Sequence, residues 1–479
     1  MGLKTNLVIS GIFVALLGFV YFYEIKGGER RQVEAERSRQ LLDFSDHEAR
    51  RLTIDRGDTV AVLEKSEESW HLTRPVSTGA DQQAVERYLR NLRETETEGD
   101  PLQDSASVTG DSGRLAAYGL DRPRLKVHLD LAGEPAPLDT LRFGDDTPTE
   151  RFTYLQRSGD NPEVLRVRAW RFDNLDKGLF DLRDRRLLAF EEEEVGSLRL
   201  DRAGGRVEVS RQGGGWRIDL PVAREADAEG VDGILSRLQN SEATRIAFEQ
   251  PTADELAATG LQEGSALAEV TLWIGEDRAE KRLRIGAEAG EGDRFARDSS
   301  RPQVFAVDST VVNKLLTPLP ELREKKLLAF SEEEVSRIEL CRRGERIFAA
   351  TRDSAGTWDL VDAAGREPKS WRFTSLVNDI MELKAEDFVQ DDGPGGSLVL
   401  AAFGLDSPQL SVRVSLTGDR TVEFLVGATT EDGGAYAMRA DVATVVTIDG
   451  EAVVNLDLSL DDVSRPVEEA SEAVEPADG

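Results

Sequence analysis

The sequence predicts an α+β protein with an N-terminal transmembrane helix followed by three tandem, mostly antiparallel repeat domains. Three observations lead to this prediction. An uncharged apolar run stands near the start of the chain, one sequence pattern recurs three times, and each copy places strand-like phrases around an amphipathic helix. The 479 residues leave room for about three domains at roughly 100–200 residues each.

The first element is the uncharged run from Leu7 to Tyr23, LVISGIFVALLGFVYFY. It has the minimum length for a helix that crosses a bilayer, and its aromatic end fits an interfacial belt. A cleaved signal peptide and a buried core helix are the alternatives, but the run has no small-x-small cleavage site and a polar stretch follows it. We expect residues 1–25 to form an uncleaved anchor and residues 26–40 a charged juxtamembrane linker.

Two features bear on the orientation of this anchor. Basic residues are more numerous after the run (Lys26, Arg30 and Arg31) than before it (Lys4), which by the positive-inside rule places the body inside. Against this, we expect a tail of six residues to be translocated less readily than the long body. We therefore predict that the N-terminus lies inside and the body outside.

One pattern of about 140 residues occurs three times, in residues 41–186, 187–326 and 327–466, here called repeats 1, 2 and 3. Each copy has a Leu-Leu-x-Phe phrase, then a tryptophan, then an apolar set at i, i+3, i+4 and i+7, which is typical of a half-buried helix. The phenylalanines are Phe44, Phe190 and Phe330, the tryptophans are Trp70, Trp216 and Trp358, and the helix sets are Val85, Tyr88, Leu89, Leu92; Val231, Ile234, Leu235, Leu238; and Phe373, Leu376, Val377, Ile380.

After the helix, every copy continues with a Gly-Leu pair and alternating strand phrases, so each repeat reads β-β-β-α-β-β-β-β-α. The glycines of the pairs are Gly119, Gly260 and Gly404, and we predict turns with positive φ there. The shared tryptophans and phenylalanines are predicted to lie in the core of their own repeat.

Helix ends and loops can also be assigned. Asp81 and Asp227 are predicted N-caps of the first two helices, and the third helix has either Ser370 as its cap or none. Residues 94–113 are predicted to form a loop. Residues 467–479 read as a disordered acidic tail.

The composition excludes several classes of function. The net charge of −31 excludes a general nucleic-acid binder, because phosphate contacts need a basic face. The single cysteine, Cys341, excludes an intramolecular disulfide framework, and three histidines leave little room for a histidine-rich metal centre. The sequence has no nucleophile elbow, zinc-protease motif or phosphate loop. We predict no enzyme, and assign no catalytic, cofactor-binding or metal-ligating residue.

A few residues have chemistry that can be interpreted in two ways. The acidic runs Glu191–Glu194 and Glu332–Glu334 could bind a cation. Glutamate is also favoured in the first turn of a helix by the helix dipole, and we predict that these runs have this structural role. His128 alternates within a strand phrase and is predicted to be an ordinary strand residue. Cys341 is predicted to be a partly buried free thiol.

Several phrases together carry a family resemblance. The anchor ends in YFYEIKGGERR, repeat 1 contains WHLTRPV from Trp70 and YGLDRP from Tyr118, and the pattern covers residues 1–466. The chain resembles the domain-of-unknown-function 4340 family of bacterial envelope proteins. It departs from these motifs at Gln262 and in the Trp358 phrase, which lacks the proline. The resemblance implies a membrane-anchored protein similar to parts encoded beside ABC-2-type exporters, including the gliding-motility type.

Three functions are consistent with these features. The first is an extracytoplasmic binding or scaffold protein, held in the bacterial inner membrane through residues 7–23 with its body in the periplasm, and accessory to ABC transporter subunits. The second is a purely structural spacer. The third is an unrecognised envelope hydrolase, for which abundant carboxylates are the main argument. The sequence favours the first.

Overall fold

The computed structural model describes residues 39–67, 69–102, 115–133, 138–158, 163–392 and 398–467. These residues divide into two compact units, one ending at Arg185 and one starting at Arg186. The predicted anchor lies outside the described residues, as does the tail from residue 468. None of the helices within the described ranges has the length and apolar character needed to cross a membrane.

Repeat 1 folds into an antiparallel sheet that has eight strands among the residues described. Their order in the sheet is β4-β3-β2-β1-β5-β6-β7-β8. The strands are β1 (Ala49–Asp55), β2 (Val60–Ser66), β3 (Ser69–Arg74), β4 (Thr78–Gly79), β5 (Leu125–Leu131), β6 (Leu138–Asp146), β7 (Phe152–Arg157) and β8 (Val164–Arg168), and the helices are α1 (Gln82–Arg93), α2 (Ala169–Leu175) and α3 (Leu179–Leu182).

Repeat 2 has the same arrangement with one more strand at an edge. Its order is β12-β11-β10-β9-β14-β15-β16-β17-β13, and neighbouring strands are antiparallel. The strands are β9 (Val195–Arg202), β10 (Gly205–Gln212), β11 (Gly215–Leu220), β12 (Arg224–Glu225), β13 (Arg245–Phe248), β14 (Ala268–Ile274), β15 (Ala279–Gly290), β16 (Asp293–Asp298) and β17 (Val304–Val307), and the helices are α4 (Ala228–Gln239), α5 (Ala253–Ala258) and α6 (Ser309–Leu315).

Repeat 3 follows the same order, β20-β19-β18-β23-β24-β25-β26-β22, while β21 pairs with the last strand, β27. The strands are β18 (Val335–Arg342), β19 (Glu345–Arg352), β20 (Trp358–Leu360), β21 (Arg366–Pro368), β22 (Asp387–Asp391), β23 (Leu410–Leu416), β24 (Thr421–Thr429), β25 (Ala435–Arg439), β26 (Thr444–Ile448) and β27 (Ser464–Pro466), and the helices are α7 (Ser370–Met381), α8 (Gly450–Leu456) and α9 (Leu460–Val463).

The predicted pattern of mostly antiparallel α+β repeats is confirmed, but it omitted two kinds of short strand. One precedes the main helix (β4, β12 and β21), and the other follows it at a sheet edge in repeats 2 and 3 (β13 and β22). These strands have two to five residues. Segments so short show no clear two-residue alternation, so the sequence pattern could not separate them from loops.

Each main helix buries the predicted apolar stripe against its own sheet, and all twelve positions of the three stripes are buried. Asp81 caps α1 by accepting a hydrogen bond from the Ala84 N–H at 3.0 Å, and Asp227 caps α4 in the same way. Helix α7 begins after Lys369, which makes no capping bond with its side chain. The third cap is therefore absent, which was one of the two alternatives.

The three tryptophans occupy equivalent core positions. Trp70, Trp216 and Trp358 are each at most 5% exposed and belong to the core of their own repeat. Phe44 and Phe190 are buried as predicted. Phe330 is only partly buried and packs at the margin of the core, so the third phenylalanine fits the prediction less well.

Glycines serve two purposes in every repeat. Gly119, Gly260 and Gly404 have φ of +66°, as predicted for the Gly-Leu turns. A second glycine lies on the second strand after the turn (β6, β15 or β24), where the carbonyl oxygen of the turn approaches it. A Cβ there would lie 2.0–2.1 Å from that oxygen at each of Gly144, Gly286 and Gly427. The strand glycines are required by this close approach and not by their own φ.

We expect Gly286→Ala to lower the free energy of unfolding by about 1–3 kcal/mol, the usual cost of forcing atoms into packed space. The added methyl would meet the Thr259 carbonyl oxygen at 2.1 Å, so the backbone of the turn must move. Urea unfolding would measure the change. Gly204→Ala is the matched control, because nothing lies within 4 Å of a Cβ at that position. Equal effects of the two substitutions would contradict the explanation.

Candidate functional site

The residues with reactive side chains have structural partners. His128 lies in β5 with Nδ1 2.8 Å from Thr140 Oγ1, and burial lowers its pKa. Cys341 is a partly buried free thiol, as predicted, and burial together with the nearby Glu339 raises its pKa. Within the described ranges, no group of three or more His, Cys, Asp or Glu side chains is placed to hold a metal ion.

The acidic runs form short turns ahead of the first strand of repeats 2 and 3. Glu192–Glu194 and Glu332–Glu334 are single turns of 3-10 helix. In the second of these, Glu334 accepts a hydrogen bond from the Ser331 N–H at 2.8 Å and pairs with Arg420. Both runs thus form isolated three-residue turns rather than the first turn of a longer helix, and the second run makes structural contacts through Glu334.

A cavity of about 430 Å³ lies where repeat 2 meets repeat 3, within the second compact unit. Strand β12 and the segment after Leu322 contribute the repeat 2 side, and β22, β25 and β26 contribute the repeat 3 side. Charged residues of both signs line it, together with an apolar set. They are Arg217, Arg224, Arg323, Lys326 and Arg439; Glu225, Glu324, Asp392 and Asp441; and Leu327, Phe388, Met438 and Val446.

Arg323 makes the central contact across this joint. Its Nη1 and Nη2 donate to the two carboxylate oxygens of Asp391 at 2.7 and 2.9 Å. Its guanidinium carbon lies 3.7 Å from the centre of the Phe388 ring. Arg323 is only 5% exposed. A bidentate, aromatic-stacked arginine fixes both the distance and the angle between its partners.

Arg224 extends the contact from the edge strand β12. Its Nε donates to Thr444 Oγ1 at 3.0 Å, and its Nη2 donates to the Ala443 carbonyl at 2.9 Å and also to Asp392. Thr444 in turn donates to Asp391 at 2.7 Å. We call these five side chains, Arg224, Arg323, Asp391, Asp392 and Thr444, the joint network.

The network keeps the carboxyl group of Asp391 ionised. Burial by itself would raise the pKa of Asp391, but hydrogen bonds from Arg323 and Thr444 and the charges of Arg323 and Arg224 outweigh it, so the pKa is lowered. A charged Asp391 is required for the bidentate contact, because a protonated carboxyl group could accept from only part of the fork. The joint network is therefore intact at neutral pH.

Two cations on the cavity wall remain available. Among the described residues, Arg217 and Lys326 form no ion pair with a carboxylate. Arg217 extends from β11, and Lys326 is the exposed last residue of repeat 2. The cavity can therefore do two things: it holds two repeats in one geometry, and it presents two free positive charges beside Phe388 and Met438.

The joint network is not among the features that the sequence predicts. The sequence does contain a signal for Arg323, because repeats 1 and 2 end in the similar phrases LRDRRLL and LREKKLL. These place Arg183 in repeat 1 at the position of Arg323, and Arg183 is also buried. Repeat 3 has Ser464 there, whose hydroxyl donates to the Leu460 carbonyl of the same repeat. Nothing in the local pattern indicates the acceptor, Asp391.

The comparison with protein-family models agrees with the internal repeats. The model described as Domain of unknown function (DUF4340) matches residues 70–264, 216–398 and 398–467. The chain belongs to the DUF4340 family. The resemblance drawn from WHLTRPV and YGLDRP is thus confirmed, and the three matches agree with three copies of one unit. No curated protein and no solved structure matches this DUF4340 chain.

Proposed function

We propose that this DUF4340 protein is a binding and scaffold protein of the bacterial inner membrane. Residues 7–23 would anchor it, the repeats would lie in the periplasm, and it would serve as an accessory to an ABC-2-type transport system. The observation that carries the scaffold role is the joint network, which holds repeats 2 and 3 by buried, directional contacts. A scaffold needs this property, because partners bound to different repeats must keep their spacing.

Exposed apolar side chains support the binding role. Trp371 on α7 is 68% exposed and Val454 on α8 is 71% exposed, and these two helices pack against each other in repeat 3. Large apolar side chains at the surface are favoured where another macromolecule binds. The joint cavity adds the free charges of Arg217 and Lys326, which suit an acidic group on a partner.

The test is affinity purification of the tagged full-length protein from its own membranes after crosslinking, with mass spectrometry of the captured proteins. We expect permease and ATPase subunits of an ABC-2-type transporter. The Arg323→Ala variant should capture less of them, because its repeats are no longer held together, whereas Lys325→Ala in the same segment should capture the normal amount. Recovery of the bait alone from crosslinked membranes would overturn the proposal.

The same joint network also favours a second candidate, the purely structural spacer, because a stiff connection between repeats would hold another factor at a set distance. The two candidates differ when one repeat is deleted. A spacer that lacks repeat 2 should still bind its partner at a shorter reach. A scaffold that binds across the joint should lose the partner, since Arg323 and Asp391 come from different repeats.

A further inference from the structure

The sheet of repeat 2 has a polar face opposite its core. Residues alternate across β9 and β10, so every second side chain packs in the core: Leu198, Leu200, Val207 and Val209. The side chains between them lie on the other face: Ser197, Arg199, Glu208 and Ser210. A cavity of about 580 Å³ opens on this face, and the β14–β15 turn closes one side of it.

A tryptophan stands on this polar face. Trp273 is half-buried, lines the cavity and lies opposite Ser197 in the register of β14 and β9. The aligned strand phrases LKVHLDL, AEVTLWI and LSVRVSL place Asp130 of repeat 1 and Ser415 of repeat 3 at the same position. The fold therefore accepts smaller polar residues at this position.

Two arginines lie over the indole ring. The guanidinium carbons of Arg199 and Arg278 are 5.2 and 5.8 Å from the centre of the Trp273 ring. Arg199 pairs through Nε with Asp201 at 2.9 Å, and its Nη2 is 3.4 Å from Thr271 Oγ1. Arg278 Nη2 is 3.4 Å from Ser197 Oγ. Together they stack on the indole and provide hydrogen-bond donors next to it.

Acceptors line the same cavity, and Glu208 is the direct partner of Arg199 in the register of β10 and β9. Glu208 and Asp219 line it with carboxylates, and Gln212 donates to Ser210 at 3.2 Å in the floor. In the part of the chain that the structure describes, neither carboxylate forms an ion pair. They are therefore free to accept hydrogen bonds from a ligand.

One more arginine borders the cavity without facing it. Arg211 places its guanidinium over the Trp216 ring, 4.5 Å from its centre, and donates to the Val195 carbonyl at 3.3 Å. It is thus turned toward the core. The side chains that face the cavity carry two positive charges, on Arg199 and Arg278, and two negative ones. Arg199 also pairs with Asp201, which pairs in turn with Arg206, and these two further charges cancel.

From this set we infer that the polar face of repeat 2 binds a neutral oligosaccharide. The C–H groups of a sugar can pack against the exposed part of the half-buried indole, and its hydroxyl groups accept from guanidinium and donate to carboxylates. An anionic ligand would meet Glu208 and Asp219, and a cationic one would meet the arginines, so the balanced set favours an uncharged polyol. The inference does not depend on the proposed function.

The test is isothermal titration of the full-length protein with neutral oligomers, namely cello-, chito- and malto-oligosaccharides, and with an oligogalacturonate as the acidic comparison. We expect at least one neutral oligomer to bind, and Trp273→Ser to weaken that binding by about tenfold or more, as for the loss of an aromatic anchor. Trp273→Phe should retain part of the affinity. Serine is the residue of repeat 3 at this position, so the variant should fold.

Trp371→Ser is the matched control, because it removes an exposed tryptophan from another repeat and should leave the affinity unchanged. Glu208→Gln should also weaken binding, because the neutral amide oxygen of glutamine accepts a weaker hydrogen bond than a carboxylate does. Three results would each overturn the inference: no neutral oligomer binds, Trp273→Ser binds as the parent does, or the oligogalacturonate binds more tightly than every neutral oligomer.

Discussion

Arg323→Ala is expected to lower the free energy of unfolding of the second unit by about 3 kcal/mol. Removing one partner of a buried ion pair leaves the other charge poorly solvated, and the Arg323 and Asp391 side chains are only 6% and 18% exposed. Removing one partner of a buried pair usually costs about 3–5 kcal/mol of stability. We expect the lower end of this range, because Thr444 and Arg224 remain near Asp391 and still stabilise its charge. Urea unfolding followed by tryptophan fluorescence would measure the change.

Lys325→Ala is the control for this prediction. Lys325 lies two residues further on and pairs with Glu321 at 3.1 Å, but both side chains are more than a third exposed. Such surface pairs contribute about 0–1 kcal/mol. If both variants lost a similar amount of free energy of unfolding, the buried pair would contribute no more to stability than an exposed one.

The effect of Arg323→Ala should also depend on pH. The pKa of Asp391 is lowered in the folded protein, so its contribution is present above the unfolded pKa of about 3.9 and is lost as the pH falls through the lower folded value. The difference between parent and variant should therefore be constant near neutral pH and shrink below about pH 4. A difference that grows in acid would contradict the assignment to Asp391.

Trp358→Ala is expected to destabilise repeat 3 by about 3–5 kcal/mol, the usual cost of removing a large aromatic side chain from a core. Trp358 is 1% exposed and stacks on Phe373 of α7, with ring centres 5.2 Å apart. Phe373 also packs edge-on against Phe348, so one truncation opens a cavity beside the main helix. Thermal or urea unfolding would measure the loss.

Trp371→Ala is the matched control for the core tryptophan, because Trp371 lies two residues before Phe373 on the same helix and is 68% exposed. We expect a change within about 0.5 kcal/mol, as for most surface positions. If both tryptophan variants lost the same stability, the equivalence of Trp70, Trp216 and Trp358 as core residues would not hold.

The core of each repeat could be predicted because its signals are local and occur three times. The helix stripes, the caps at Asp81 and Asp227 and the tryptophans each follow from spacing along one segment. The strand glycines could not be predicted in the same way. Gly286 is required by a carbonyl oxygen that belongs to Thr259, and the two residues approach only after the sheet has formed.

The joint network and the polar face of repeat 2 could not be predicted for a different reason. Charged residues make up 32% of the chain, so Arg323 and Asp391 do not stand out among them, and they are far apart in sequence. Trp273 lies in an alternating phrase that fits an ordinary strand. Only the register of β9, β10 and β14 shows that it shares a face with Arg199 and Glu208.

The central claim is that the joint network holds repeats 2 and 3 in one geometry. The most direct measurement is the distance distribution between spin labels at Gly204→Cys in repeat 2 and Glu431→Cys in repeat 3, in a full-length Cys341→Ser background. We predict a single narrow distribution that broadens with Arg323→Ala and not with Lys325→Ala. A broad distribution in the parent, or one that Arg323→Ala leaves unchanged, would contradict the claim.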